Sequence, residues 1–166
     1  MNESFSKLKE RILSRDAKIS VIGQGYIGLP LALLLADSGF NVIGYDVNPE
    51  IVEELSNGKT RMESENGIRE LLLKHLRRNY LPTNDIQELI GSDIIVIAVP
   101  TPRKDGSADL SMVMQAVNLS ISAIKKGGLI VVESTLPPKT FESIILMEIG
   151  RAGFRIGEDI FVSYCP

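Results

Sequence analysis

Five apolar runs rich in Val and Ile recur along the chain with helix-length segments between them: "AKISVIG" (17–23), "FNVIGYD" (40–46), "DIIVIAVP" (93–100), "GLIVVEST" (128–135) and "DIFVSYCP" (159–166). Their apolar residues are nearly continuous, without the polar alternation of a half-solvated strand, which suits strands buried on both faces of a parallel sheet. The segments between them carry helix punctuation. "YIGLPLALLLADSG" is closed by Gly39, and "PEIVEELSNG" has Pro49 in its first turn and Gly58 past its end. "DLSMVMQAVNLSISAIKKGG" and "PPKTFESIILMEIGRAG" read as two more helices. Residues 64–91 should hold one or two others, broken near "NYLPTND", where Pro82 disfavours helix at Leu81 and Thr83 or Asn84 could cap the next helix. Strands alternating with helices predict an α/β fold, a Rossmann-type doubly wound parallel sheet in three αβα layers with right-handed crossovers. Residues 1–16 form a charged helical lead, and 17–166 the sheet domain.

Ligands of such sheets bind beyond the carboxyl ends of the strands, near the point where strand order reverses. The first run leads into "VIGQGYIGLP", which contains Gly-x-Gly-x-x-Gly at Gly23, Gly25 and Gly28. Fourteen glycines in 166 residues produce such a spacing by chance, so its placement decides its meaning. It follows a strand and opens a helix, the arrangement that aims backbone N–H groups and the positive end of a helix at a pyrophosphate. Gly23 would make the tight turn, Gly25 would let phosphate approach the backbone, and Gly28 would let helix pack closely on strand. Asp46 ends the second run, 18 residues after Gly28, near the spacing expected of a ribose-binding carboxylate. A carboxylate there accepts hydrogen bonds from the adenosine ribose and repels a 2'-phosphate, so NAD is favoured over NADP. The competing reading of Asp46 is a cap for the helix after "VNP", and that of the glycines is a plain turn.

Composition removes other classes. The net charge is -3 with no long block of like charge, which lacks the electrostatic footprint of nucleic-acid binding. The longest apolar runs, "LPLALLLA" and "IIVIAVP", are too short to cross a bilayer, and the N-terminus lacks a secretory h-region. A cytoplasmic protein is expected. Cys165 is the only cysteine, so no internal disulfide or multi-Cys metal site can form, and no metal site is expected.

Five segments together carry a family resemblance. "GQGYIGLPLA", "VPTP" (99–102), "ADLSMV" (108–113), "ESTLPP" (133–138) and "YCP" (164–166) lie in order along the chain, and together they resemble the UDP-glucose/GDP-mannose dehydrogenases, which oxidise nucleotide sugars to uronic acids. The opening and closing segments look most like the branch acting on UDP-N-acetylmannosamine or UDP-N-acetylglucosamine. The resemblance implies that the backbone at Tyr26 and Ile27 meets the pyrophosphate and that Asp46 holds the ribose. It implies further that Val99 and Thr101 contact the cofactor after the third strand, and that Ser134 and Thr135 lie near the nicotinamide. Thr135 matches a threonine that helps position the water of hydrolysis, a supporting catalytic role. Alternatives stay open: Thr101 as a turn residue before Pro102, Ser134 and Thr135 as caps of the helix after "LPP".

Three positions depart from the family pattern: Lys139 and Phe141 replace a glycine and a second threonine, and Ile51 stands where a basic residue is frequent. His75, the only histidine, lies in the basic stretch "LLLKHLRRN" and reads as a solvated surface residue. Cys165 does not match the family's nucleophile and reads as a buried small apolar residue. Met112 and Met114 read as helix packing.

The family's reaction removes four electrons from a sugar 6-hydroxyl with two NAD+, through an aldehyde and cysteine-bound thiohemiacetal and thioester stages. Its cysteine, lysine and glutamate match no position up to Pro166. The resemblance therefore implies a cofactor-binding domain that binds NAD without turning over a UDP-sugar alone, belonging to a longer enzyme that associates through a central domain, with the isolated domain monomeric. Two other readings are a stand-alone NAD-binding sensor or subunit, and a domain of the 6-phosphogluconate/3-hydroxyacid dehydrogenase type.

Overall fold

The computed structural model describes residues 3–62, 65, 67–104 and 106–165. Its main sheet has six strands, all parallel, in the order β3-β2-β1-β4-β7-β8. These are β1 (Lys18–Ile22), β2 (Asn41–Tyr45), β3 (Tyr80–Thr83), β4 (Ser92–Ile97), β7 (Ile124–Val132) and β8 (Phe161–Tyr164), with β5 (Arg103–Lys104) and β6 (Ser107–Ala108) forming a small hairpin after β4. The helices are α1 (Glu3–Leu13), α2 (Gly28–Asp37), α3 (Pro49–Ser56), α4 (Ile68–His75), α5 (Ser111–Ala123) and α6 (Leu146–Arg151). A 3-10 turn spans Ile86–Leu89, and a π turn, Phe141–Ile145, leads into α6.

Alternation along the central strands divides their side chains between two cores. Ile19, Val21, Val42, Ile94 and Val96 pack with Leu29, Leu33, Leu55 and Leu72 of α2, α3 and α4. Ile22, Tyr45, Ile95, Ile97, Ile130 and Val132 pack on the other face with Val113, Val117, Ile145 and Ile149. Every residue of β4 is buried, as a strand covered on both faces requires. The three-layer αβα architecture expected from the sequence is therefore the one observed.

Several local expectations are corrected. Among its described residues the segment 64–91 holds one α-helix and the 3-10 turn, broken at "NYLPTND" as expected, but "YLPT" within the break is a strand, β3, with Tyr80 opposite Val42 and Pro82 opposite Gly44. Proline is tolerated there because β3 is the sheet edge. The cap of the following turn is neither Thr83 nor Asn84: Asp85 accepts from the Gln87 N–H at 2.9 Å. The helix expected over 109–128 stops at Ala123, and the chain is already extended from Ile124. In the N-terminal lead, read from the sequence as helical, α1 has Leu8 buried, and Phe5 meets Phe161 edge-on at 5.6 Å.

Candidate functional site

The strand order reverses between β1 and β4, and at their carboxyl ends a cleft of about 610 Å³ opens. Gly23, Gly25, Tyr26, Ile27, Asp46, Val99, Thr101, Ser134 and Thr135 all line it. Gly28 does not, and its role is underneath. A Cβ on Gly28 would lie 1.8 Å from the Gly23 carbonyl oxygen, so only glycine lets α2 start this close to the preceding turn. Gly23 itself has φ +94°, and a Cβ there would meet the Ala98 carbonyl at 2.5 Å. At Gly25, by contrast, no atom lies within 4 Å of the Cβ position. The same motif thus uses two glycines for packing and leaves one with bare backbone toward open space.

The start of α2 carries neither a side-chain cap nor an acidic residue in its first turn. The Leu29 N–H is taken by the Gly25 carbonyl at 3.1 Å and Pro30 has none, but no side chain competes with an anion for the positive end of the α2 dipole. A diphosphate fits this cradle on both counts, the open space at Gly25 and the uncapped helix start.

Asp46 is oriented by the backbone on two sides. One carboxylate oxygen accepts the Gln24 N–H at 2.8 Å and the other the Asn48 N–H at 2.9 Å. The capping task belongs to Asn48, whose side chain accepts from the Glu50 N–H at 2.9 Å. Asp46 therefore faces the glycine turn with its remaining lone pairs available to ribose hydroxyls, a charge that disfavours a 2'-phosphate.

Ser134 is buried, and its hydroxyl laces two strand ends together. It accepts from the Val99 N–H at 2.9 Å and donates to the Val99 carbonyl at 2.7 Å. It therefore shapes the cleft wall, and the alternative cap role is not found: the next helical turn begins at Phe141 and has no side-chain cap. Thr135 is exposed at the rim and Thr101 half-buried opposite. Glu133, which opens the "ESTLPP" segment and carries no expected role of its own, joins the wall. Its charge, then its hydrogen bond, pushes the Cys165 thiol above the ordinary thiol range, which makes a poor nucleophile.

Three expectations for single residues fail. His75 is 6% exposed, with Nε2 2.8 Å from Asp37 and Nδ1 2.8 Å from Asn79. It ends α4 where that helix packs on α2, so it faces protein. Cys165 is exposed, because it follows the edge strand β8 and has no further strand beside it. Met112 is 46% exposed and lines the cleft, and Met114 is half-buried. Of the departures, Ile51 adds apolar surface to the cleft, Phe141 stacks on Tyr164 at 5.3 Å, and Lys139 has φ +67°. Lys139 thus keeps the left-handed conformation that a glycine adopts freely.

Among the described residues no cluster of His, Cys, Asp and Glu could hold a metal ion, and no helix is long and apolar enough to cross a membrane.

Comparison with known proteins agrees with this geometry. The chain is 33% identical over 153 residues to a UDP-N-acetyl-D-mannosamine dehydrogenase of Pyrococcus horikoshii, covering 90% of this chain and 36% of that protein. A Methanococcus maripaludis protein of the same name is 40% identical over 154 residues, at 90% and 34%. The solved UDP-N-acetyl-mannosamine dehydrogenase of Staphylococcus aureus superposes with a TM-score of 0.84 at 38% identity, covering 90% of this chain and 36% of that one. A Mycobacterium tuberculosis 3-hydroxyisobutyrate dehydrogenase, at 14% identity and a TM-score of 0.58, shares the fold alone. The chain spans about a third of the length of the curated relatives it matches. Residues 17–166 match the NAD binding domain of the UDP-glucose/GDP-mannose dehydrogenase family, and the chain belongs to that family, with NAD as its cofactor.

Proposed function

We propose that this chain is the cofactor-binding part of a nucleotide-sugar 6-dehydrogenase that oxidises the 6-hydroxyl of a UDP-N-acetylhexosamine, of the N-acetylmannosamine type, to the uronic acid. The observation that carries the reading is Asp46, held by two backbone N–H groups beside an uncapped helix start and a bare Gly25. Relatives carrying the N-acetylmannosamine name supply the substrate class.

NAD, when bound, supplies the hydride acceptor. The residues of this chain bind and orient it. Backbone at Gly25, Tyr26 and Ile27 takes the pyrophosphate, Asp46 the adenosine ribose, and Val99 and Thr101 the adjoining wall. Ser134 fixes the β4 and β7 ends at the nicotinamide side, where Thr135 serves in positioning water. The nucleophile and the sugar site belong to further parts of a longer, homo-oligomeric, cytoplasmic enzyme.

The test is turnover by the complete gene product with UDP-N-acetylmannosamine, UDP-N-acetylglucosamine and UDP-glucose. Two NADH formed per UDP-N-acetylmannosamine, with residues 1–166 alone forming none, supports the proposal. Absence of turnover on every UDP-sugar, or NADH production by the short chain, contradicts it.

A further inference from the structure

Beneath the glycine turn lies a buried polar strut that the sequence motif does not require. Gln24, the first variable position of Gly-x-Gly-x-x-Gly, is 3% exposed, and its side chain points down into the protein. Its amide nitrogen donates to the Val21 carbonyl at 2.9 Å and to the Gly23 carbonyl at 3.1 Å. Both donors being spent, the amide oxygen is fixed as an acceptor, and it takes the Tyr80 hydroxyl at 2.7 Å. Tyr80 is 1% exposed and sits on the edge strand β3, 56 residues away in sequence.

The strut crosses β2 at Gly44. A Cβ there would fall 2.6 Å from the Gln24 amide oxygen and 2.6 Å from the Tyr80 hydroxyl, so the missing side chain at 44 is the space the bond occupies. At its upper end, Gln24 also presents the N–H that holds one oxygen of Asp46 at 2.8 Å. Burial, and next the Asp46 charge, push the Tyr80 phenol far above its ordinary range, so this hydroxyl remains a donor throughout the working pH range.

We infer that Gln24 and Tyr80 are positioning residues for cofactor choice. Through the bond at Gly44 they lock the Gln24 backbone, and that backbone N–H aims the Asp46 carboxylate at the adenosine ribose. The inference rests on the reading of the cleft as a NAD site. None of the three residues need touch the cofactor, and Gln24 and Gly44 do their work with side chain and bare Cα turned away from it.

The discriminating experiment is a calorimetric double-mutant cycle on the chain of 166 residues with NAD+ and NADP+. It uses wild type, Tyr80→Phe, Asp46→Ala and the pair, with thermal unfolding recorded alongside. Tyr80→Phe keeps the ring and removes one hydroxyl, leaving the amide oxygen buried without its partner. The expected result is NAD+ binding weakened about five- to tenfold, with a smaller loss for NADP+, so that discrimination between the two narrows. In the Asp46→Ala background the same substitution should change NAD+ affinity by less than about twofold. Equal losses for both cofactors, or a full additional loss in the Asp46→Ala background, would mean that the strut only stabilises the fold, and the inference fails. Should Tyr80→Phe not fold, Gln24→Met, which keeps the length and removes the amide, carries the same expectations. Wild type that binds no NAD+ would instead sink the cofactor reading and the inference together.

Discussion

Arg11 on α1 grips Asp93 at the start of β4 with two hydrogen bonds, Nε and Nη2 each 2.8 Å from a different carboxylate oxygen. Asp93 is 1% exposed and also takes the Lys18 N–H at 2.8 Å and the Lys125 ammonium. The pair ties the N-terminal helix to the end of the sheet opposite the cleft. Arg11→Ala should cost about 1–2 kcal/mol, less than the loss of an isolated buried pair because Lys125 remains and Arg11 is partly solvated. At this chain length that is a drop in Tm of about 2–8 °C. NAD affinity should not change, since no cleft residue touches either partner. Thermal unfolding with and without NAD checks both statements.

Asp93 also sets an acid limit on stability. Burial alone would raise its carboxyl, but hydrogen bonds from Arg11, Lys125 and the Lys18 N–H outweigh burial and hold it below the ordinary carboxylate range. Asp159 is held low as well, by hydrogen bonds from Arg155 and then Lys126. A carboxyl depressed on folding contributes stability that is fully present above its unfolded value, about 3.9, and is lost as pH falls through the lower folded value. Tm should therefore be flat with respect to these groups from about pH 5 upward and fall below about pH 4. Asp93→Asn should flatten the acid limb while lowering Tm at pH 7. A variant with an unchanged acid limb would show that other groups control it.

Gly25 and Gly28 should separate binding from folding. Gly28→Ala places a Cβ 1.8 Å from the Gly23 carbonyl and should cost about 3 kcal/mol, the upper end for overpacked sites. Gly25→Ala meets no protein atom within 4 Å, so Tm should stay within about 2 °C of wild type. Its NAD affinity should nevertheless fall about tenfold or more, because the methyl stands where phosphate approaches the backbone. Melting curves read against titrations resolve the two effects.

Much of this site is readable in the residues themselves. Gly23, Gly25 and Gly28 declare the turn because a strand precedes and a helix follows, and Asp46 stands at a distance fixed by one helix and one strand. What escapes is what depends on partners remote in sequence. β3 is four residues long and contains a proline, so its strand character comes from pairing with β2 and not from its own pattern. His75 sits in a basic run that reads as solvated, and only the approach of α4 to α2 buries it. Gln24 occupies a variable position of its motif, and the bond that gives it a role spans 56 residues. Met112 belongs to a helix with a good apolar stripe but falls on the edge of that stripe facing the cleft.

Lys139 offers a test of the strain left by a departure from the family pattern. With φ +67°, it holds a left-handed turn whose carbonyl accepts the Ser143 N–H at 2.9 Å and its hydroxyl at 2.7 Å. A left-handed residue with a side chain costs about 1–2 kcal/mol, and glycine gives back part of that in unfolded-state entropy. Lys139→Gly should raise stability by about 0.5–1 kcal/mol with NAD binding intact. A stability loss in denaturant titration would show that the lysine side chain contributes more than its backbone costs.

Calorimetric titration of the chain with NAD+ and NADP+, with Asp46→Ala alongside, decides whether the cleft beside Asp46 is a NAD site that discriminates against a 2'-phosphate. NAD+ should bind the wild type with clear preference over NADP+, and Asp46→Ala should weaken NAD+ and narrow the gap between the two. Equal affinity for both cofactors in the wild type, or NAD+ binding that ignores the loss of Asp46, would contradict this assignment.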